Sequence, residues 1–149
     1  MIVEWCNTWL KQYVRECDAV AGSVHMREND GLRLVAEVNI PEKVQRVVEW
    51  VPSGKGMAGQ ALVRGEPIFT CNLKDDSSGT VRPGAKAVDA HAAIALPVQD
   101  EAGTIVAVVG IAFAQERPFS LADITSYVVR AKSLVPQIRS GPSASTIRT

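Results

Sequence analysis

Two pairs of strand-like segments, each pair joined by a short turn, constrain the fold of this chain more than any other feature. The first pair covers residues 19–28 and 32–38, and the second pair covers residues 91–98 and 104–114. The residues Asn-Asp-Gly at 29–31 separate the first pair, and Asp-Gly tolerates the positive φ of a hairpin turn at low cost. Strands joined by tight hairpins run antiparallel. The sequence therefore predicts a sheet that is at least partly antiparallel.

The second pair of segments is rich in small residues. These are Ala93, Ala95, Ala107, Gly110 and Ala112. On a sheet, small residues either let a helix approach closely or leave room for a ligand. The segment at 104–114 is apolar on both faces, which predicts a central strand.

Helical periodicity marks both ends of the chain. Near the start, a helix over about 2–16 is predicted by the spacing of Ile2, Cys6, Leu10, Tyr13 and Cys17, with Trp5 and Trp9 widening the apolar face. Near the end, Ser120 and Asp123 form a variant of the capping box, which predicts a helix that starts at Leu121. Pro136 predicts that this helix, over about 121–135, ends or kinks near Val135.

Shorter elements are predicted between the hairpins. Pro41 suits the first position of a short helix, a second short helix is predicted near 57–64, and a strand is predicted at 67–71. Residues 72–90 show no periodicity, and a run of that length inside a compact domain is commonly a lid, a binding loop or disordered.

This order of elements predicts an α+β fold with a central antiparallel sheet. The length of 149 residues predicts one domain, which we place at 1–138. Residues 139–149 are rich in Ser, Pro and Gly and are predicted to form a disordered tail.

Charge and cysteine content argue against several classes of function. Sixteen basic residues balance sixteen acidic ones, so no electrostatic signature of nucleic-acid or membrane-surface binding is present. The apolar runs are too short to span a membrane, and the start does not resemble a signal peptide, so a cytoplasmic location is expected. Three cysteines without a Cys-x-x-Cys motif suggest neither a disulfide framework nor a metal site.

Gly54, Gly56 and Gly59 match the dinucleotide-binding expression G-x-G-x-x-G. That site needs a buried strand leading into the glycines, then a long helix and a second, parallel strand. Here Pro52 argues against a continuing strand, the following helix ends by Gly65, and the later elements form hairpins. We therefore interpret the three glycines as a tight turn that starts a short helix and lets it sit close to the sheet.

The glycine segment and the second hairpin together resemble the GAF domain family. The resemblance spans roughly Cys17 to Val135 and is carried by VPSGKGMAGQALVRGEPIFTCNL, AIALPVQDEAGTIVAVVGIAF and RPFSLADITSYVVRAKSLV. It implies a central antiparallel sheet with the terminal helices on one side and a pocket on the other. Members of the family mostly sense small molecules, others only dimerise, and a few reduce free methionine-(R)-sulfoxide.

The reductase branch of the family provides an enzymatic alternative. Its chemistry needs a nucleophilic cysteine and a resolving cysteine nearby, because a disulfide must form during turnover. Where those relatives have a cysteine before the last glycine of the turn, this chain has Ala58, and residues 87–98 contain none. Cys71 has no obvious partner in the sequence. No catalytic residue is therefore predicted.

A ligand-binding pocket is expected between the sheet and residues 50–91. Its predicted walls are Trp50, Met57, Phe69 and Cys71, and its predicted polar contacts are Ser77, Ser78, Thr80, Arg82 and His91. His25 and His91 are the two histidines of the chain. Either they approach each other across the sheet, where one of them could hold haem iron or contact a small molecule, or they are hydrogen-bonded structural or surface imidazoles.

The sequence is thus interpreted as a single, free-standing GAF-like domain that binds an unidentified small cytoplasmic molecule without catalysis. The resemblance implies a homodimer formed through the terminal helices, and a signal passed to a partner in trans. Two alternatives stay open, a dimerisation scaffold with no ligand and a free methionine-(R)-sulfoxide reductase.

Overall fold

An antiparallel sheet of six strands organises the computed structural model, which describes residues 2–71 and 90–140. The described strands are β1 (Ala21–Glu28), β2 (Gly31–Val38), β3 (Trp50–Pro52), β4 (Ile68–Thr70), β5 (Ala92–Gln99) and β6 (Ile105–Phe113). The described helices are α1 (Glu4–Glu16), α2 (Glu42–Val48), α3 (Gly56–Arg64), α4 (Leu121–Ala131) and α5 (Leu134–Ser140). The spatial order is β3-β2-β1-β6-β5-β4, and each neighbouring pair is antiparallel. The predicted α+β fold is confirmed.

Both predicted hairpins are present, and β6 lies in the middle of the sheet between β1 and β5. In the first turn the residue with positive φ is Asn29, at 54°. The positive φ of this turn therefore falls on the residue before the Asp-Gly pair. Gly31 opens β2, and a Cβ atom there would collide with the ring of Trp50. The glycine is needed because the indole packs directly against the backbone.

One face of the sheet carries the main core, formed with α1, α4 and α5. Alternate residues of β5 and β6 point to this side, among them Leu96 and Val109, both fully buried. Gly22 of β1 lets α1 approach, because a Cβ atom there would lie 2.7 Å from Val14 Cγ2. The Tyr13 hydroxyl donates a hydrogen bond of 2.8 Å to the carbonyl oxygen of Tyr127. Burial raises the pKa of the Tyr13 phenol, so this donor stays protonated.

The C-terminal helix differs from the prediction. The capping box is present, since Ser120 Oγ accepts from the Asp123 amide at 3.0 Å and the Asp123 carboxylate accepts from the Ser120 amide at 3.2 Å. However, α4 ends at Ala131, and a separate helix, α5, starts three residues later at Leu134. Pro136 lies in the first turn of α5, where backbone N–H groups have no acceptor within the helix. A proline removes the hydrogen bond to the carbonyl four residues earlier, here that of Lys132, so Pro136 accounts for an interruption between Ala131 and Leu134, slightly before the position predicted near Val135.

The helices at the two ends of the chain have boundaries close to those predicted. The first helix starts at Glu4, two residues after the expected position, and ends at the predicted Glu16. Helix α5 continues through Ser140 and so includes the first two residues of the predicted tail. The rest of that tail, 141–149, and the predicted loop at 72–89 lie outside the described residues. No helix in the described ranges is both long and apolar enough to cross a membrane.

The glycine motif lies between an edge strand and a short helix. Pro52, expected to stop the strand from continuing, is the last residue of β3, where it lies opposite Gly31. An edge strand tolerates proline because one side of its backbone has no partner strand. Gly65 ends α3 with a φ of 69°, and the next strand, β4, pairs antiparallel with β5. The described strands contain no parallel pair, so the requirements of a dinucleotide fold are not met.

Candidate ligand-binding site

A cavity of about 150 Å³ lies between the sheet and the helices α2 and α3. It is on the face opposite the main core. Its floor consists of two rows of small residues that cross three neighbouring strands. The rows are Ser23, Gly110 and Ala95, and Ala21, Ala112 and Ala93. Because no side chain in either row is larger than serine, the sheet leaves room above its centre.

The roof and walls of the cavity are largely apolar. The residues that contribute from β2 and α2 and their flanking turns are Leu34, Ile40, Val44, Val48 and Val51. The start of α3 contributes Lys55, Gly56, Met57 and Ala58. Among the described lining residues, Ser23, His25 and Lys55 carry polar side-chain atoms. The arrangement therefore favours a compact apolar molecule over a highly charged one.

The small residues of the second hairpin divide between the two faces of the sheet. Ala93, Ala95, Gly110 and Ala112 line the cavity, whereas Ala107 points to the other face and packs in the main core. The split follows the alternation of side chains along a strand, since Ala107 differs from Gly110 and Ala112 by an odd number of positions.

His25 is the buried polar residue of the cavity wall, with 4% of its surface exposed. Its Nε2 lies 2.8 Å from the carbonyl oxygen of Val48, the last residue of α2. Carbonyl groups at the C-terminal end of a helix lack N–H donors within the helix, so this contact satisfies one of them. The register of β1 and β2 shifts beside His25, where Val35 is the extra residue. Burial lowers the pKa of His25 to about 4, against the opposing effect of the Val48 carbonyl.

Met57 is the predicted wall residue that lines the cavity in the described structure. Trp50 lies outside it, at the edge strand, with the guanidinium carbon of Arg33 at 5.2 Å from its ring centroid. Phe69 is half exposed on β4 and makes an edge contact with Phe119, at 5.5 Å between ring centroids. Cys71 is exposed, and its carbonyl oxygen accepts from the Arg117 amide at 3.3 Å.

The predicted polar contacts are mostly outside the described ranges. Four of them lie between residues 72 and 89, outside the described residues, and their part in a site stays a prediction. They are Ser77, Ser78, Thr80 and Arg82. His91 is half-buried at the start of β5, and its amide donates to the Phe113 carbonyl oxygen at 2.9 Å.

The two histidines do not meet. His25 lies opposite Val108 of β6, whereas His91 lies beside Phe113 of the same strand. Five strand residues span about 16 Å, at about 3.3 Å per residue. Shared ligation of haem iron by both imidazoles is therefore excluded by the sheet register. Nor does any group of three His, Cys, Asp or Glu residues within 2–71 and 90–140 form a metal site.

All three cysteines belong to the described residues, and none lines the cavity. Cys6 and Cys17 are buried in the main core on the other face of the sheet. Burial raises the pKa of the Cys6 thiol to about 12 and also raises that of Cys17, which disfavours the reactive thiolates. Ala58, the position at which the reductase branch carries a cysteine, is part of the cavity wall.

Sequence reasoning missed several residues that line the cavity. Ala21 and Ser23 occupy alternate positions of β1 with His25, which the sequence had already offered as a ligand contact, and a period of two places such residues on one face. This alternation could have been read from the sequence. The sequence could not show that α2 contributes Val44 and Val48, because a single apolar stripe does not specify which face of the sheet the helix covers.

The family model of the GAF domain matches residues 8–126 of the chain. This range covers most of the sequence, including the glycine turn and every described strand. The chain belongs to the GAF domain family. The resemblance inferred from the two motifs is thereby confirmed.

Solved structures agree with this assignment of the fold. A type II free methionine-R-sulfoxide reductase from Thermoplasma acidophilum is similar with a TM-score of 0.70 and 17% identity, covering 92% of this chain and 94% of that one. A GAF domain/HD domain protein from Geobacter sulfurreducens has a TM-score of 0.68, 11% identity and coverage of 90% and 92%. The GAF domain of a two-component sensor histidine kinase from Bacillus halodurans has a TM-score of 0.68, 16% identity and coverage of 89% and 92%.

At these identities the similarity shows a shared GAF fold. No curated protein sequence matches the chain closely enough to count as a relative. Function must therefore be argued from the cavity and its residues.

Proposed function

We propose that this GAF domain is a non-catalytic sensory or regulatory module that binds a small, mainly apolar molecule in the cavity above β1, β5 and β6. The observation that carries the proposal is the double row of small residues on the cavity floor. A sheet face that only had to pack against α2 and α3 would gain stability from larger side chains there. Six small residues in register instead keep the space open.

Similarity of the fold to signalling proteins of known structure supports a role in signalling. One structural neighbour is the GAF domain of a two-component sensor histidine kinase. A ligand-dependent signal would pass from the GAF domain to a partner protein. A cytoplasmic location fits this role.

The cysteines support binding over catalysis. Reduction of a sulfoxide needs a thiolate that reaches the substrate sulfur and a second thiol that forms a disulfide. Ala58 occupies the wall where a nucleophile would be needed, and Cys71 is exposed away from the cavity. The alternative, a methionine-sulfoxide reductase, is supported by the similarity of the fold to the reductase from Thermoplasma acidophilum. Reduction of free methionine-(R)-sulfoxide that disappears in Cys71→Ser would favour it.

Native mass spectrometry of the purified full chain tests the binding proposal. We expect a small molecule retained with the folded protein and released on denaturation. A matched Cys71→Ser preparation should retain the same mass, because that thiol lies outside the cavity. Folded protein with no retained mass, and no affinity for added apolar compounds, would instead support a dimerisation scaffold with a closed cavity.

A homodimer formed through the terminal helices is the second part of the proposal. Leu121 and Val129 of α4 are 80% and 60% exposed, and a spacing of eight residues puts them on one helix face. Trp5 and Val128, on the same two terminal helices, are poorer interface candidates, because both are half-buried against the main core. A second copy of the chain would cover the Leu121–Val129 face.

A charge on this face should weaken the dimer. We expect Val129→Glu to raise the dimer dissociation constant about tenfold or more, because an interface carboxylate would lose its water. Sedimentation equilibrium measures this constant. Val63→Glu, on the α3 surface at 61% exposure, is the matched control and should leave association unchanged. A wild-type chain that is monomeric, or equal dissociation constants for both variants, would contradict this interface.

A further inference from the structure

The His25 imidazole has one nitrogen that is satisfied and one that is not. Nε2 contacts the Val48 carbonyl oxygen at 2.8 Å, whereas Nδ1 is buried with no hydrogen-bond partner in the described part of the chain. Buried polar atoms are nearly always partnered, so an orphaned atom calls for an explanation. Since His25 lines the cavity, a molecule bound there is the natural partner.

The proton of the neutral ring can be assigned from its surroundings. A carbonyl oxygen can only accept a hydrogen bond, so Nε2 must carry the hydrogen that it shares with Val48. In neutral imidazole the other nitrogen then holds a lone pair. Burial lowers the pKa of His25 to about 4, so the ring is neutral near pH 7. Nδ1 is therefore a fixed acceptor on a residue that lines the apolar cavity, and because almost none of its own surface is accessible, a ligand reaches it only after a neighbouring side chain shifts.

We propose that the ligand of this cavity is a compact, mainly apolar molecule whose single O–H or N–H group donates a hydrogen bond to His25 Nδ1. This inference rests on the proposed binding function and names the class of ligand and the residue that selects it. A cavity of about 150 Å³ holds a molecule near the size of one six-membered ring. Phenol is the simplest member of this class.

The same geometry selects against other classes. A carboxylate or another group that only accepts would face the lone pair of Nδ1 without a proton between them. A purely apolar ring would fit the floor of Ser23, Gly110 and Ala95 but would leave Nδ1 unsatisfied. Discrimination therefore depends on the donor and not on size, because buried polar groups left unpaired penalise the wrong ligand.

Phenol and toluene form a matched pair of probes, since a methyl group replaces the hydroxyl in a ring of similar size. Each is titrated into the full chain and into His25→Phe, with binding measured by ligand-observed NMR. We expect the substitution to weaken phenol binding about tenfold while toluene changes little, because one hydrogen bond is lost. Cys71→Ser, at an exposed residue outside the cavity, is the control and should leave both dissociation constants unchanged.

A second readout needs no substitution. The ¹⁵N resonance of His25 Nδ1 in the wild-type chain should move when phenol binds and stay in place when toluene binds. If His25→Phe leaves the dissociation constants of both toluene and phenol unchanged, and the Nδ1 resonance does not move, the role of His25 is overturned while the binding function stays intact. Failure of both probes to bind the wild-type chain would overturn the inference and the proposed function together.

Discussion

Gly110→Val should abolish most of the affinity of the cavity for benzene without unfolding the protein. Gly110 lies at the centre of the floor, and a Cβ atom there would be 3.0 Å from Ser23 Oγ, a side chain that can rotate away. The valine would then occupy space that a ligand needs. We expect affinity for benzene to fall roughly a hundredfold, which corresponds to about 2.7 kcal/mol. Isothermal titration calorimetry measures this loss.

The stability of this variant should be retained, because a β-branched residue replaces a glycine inside a strand and fills a void. Val109→Ala is the matched control on the other face of β6. Val109 is fully buried in the main core and is not part of the cavity wall. We expect a loss of about 2 kcal/mol in the free energy of unfolding with unchanged benzene affinity. Benzene affinity that survives Gly110→Val would place the binding site elsewhere.

Gly59→Ala should be strongly destabilising, although alanine is the better helix former. A Cβ atom at position 59 would lie 2.7 Å from the Pro52 carbonyl oxygen and 3.1 Å from the backbone nitrogen of Gly54. Both are backbone atoms, and the Gly54 amide also donates to the Gly59 carbonyl oxygen at 3.0 Å. The turn would have to separate from α3. We expect a loss of about 2–3 kcal/mol in the free energy of unfolding, measured by urea denaturation.

Gly103→Ala separates this collision from the general cost of replacing a glycine. Gly103 has a φ of 83°, and no heavy atom lies within 4 Å of the position of a Cβ atom. Its replacement should cost about 1 kcal/mol, from the left-handed backbone alone. If Gly59→Ala were as stable as the wild type, the close contact between turn and helix would not be a real constraint. The last glycine of the motif would then need another explanation.

The features that sequence reasoning predicted correctly are those set by local chemistry. Ser120 and Asp123 form the expected cap because both partners lie within one turn of helix. The second hairpin turns where Asp100 accepts from the amides of Ala102 and Thr104 and Gly103 takes the positive φ. These interactions span a few residues and are legible in the sequence.

The cavity was harder to predict because it depends on packing between distant elements. Trp50 looks like a wall residue by size, yet in the structure its ring covers Gly31 and Arg33 at the sheet edge. His25 looked like either a ligand contact or a structural imidazole; its bond to Val48 makes it a structural imidazole, and its place in the cavity lining keeps the ligand contact a prediction. Its tie to Val48 depends on where α2 ends against the sheet, which no local pattern specifies. The polar contacts expected at Ser77, Ser78, Thr80 and Arg82 stay a prediction.

Amide chemical shifts of the ¹⁵N-labelled full chain, titrated with benzene, test the central claim most directly. If the cavity binds a small apolar molecule, saturable shifts will concentrate on the floor at Ser23, Ala95, Gly110 and Ala112. Tyr13 and Tyr127, in the core on the other face, will move little. Shifts that do not saturate, or that concentrate on α1 and α4, would contradict a ligand-binding cavity between the sheet and α2 and α3.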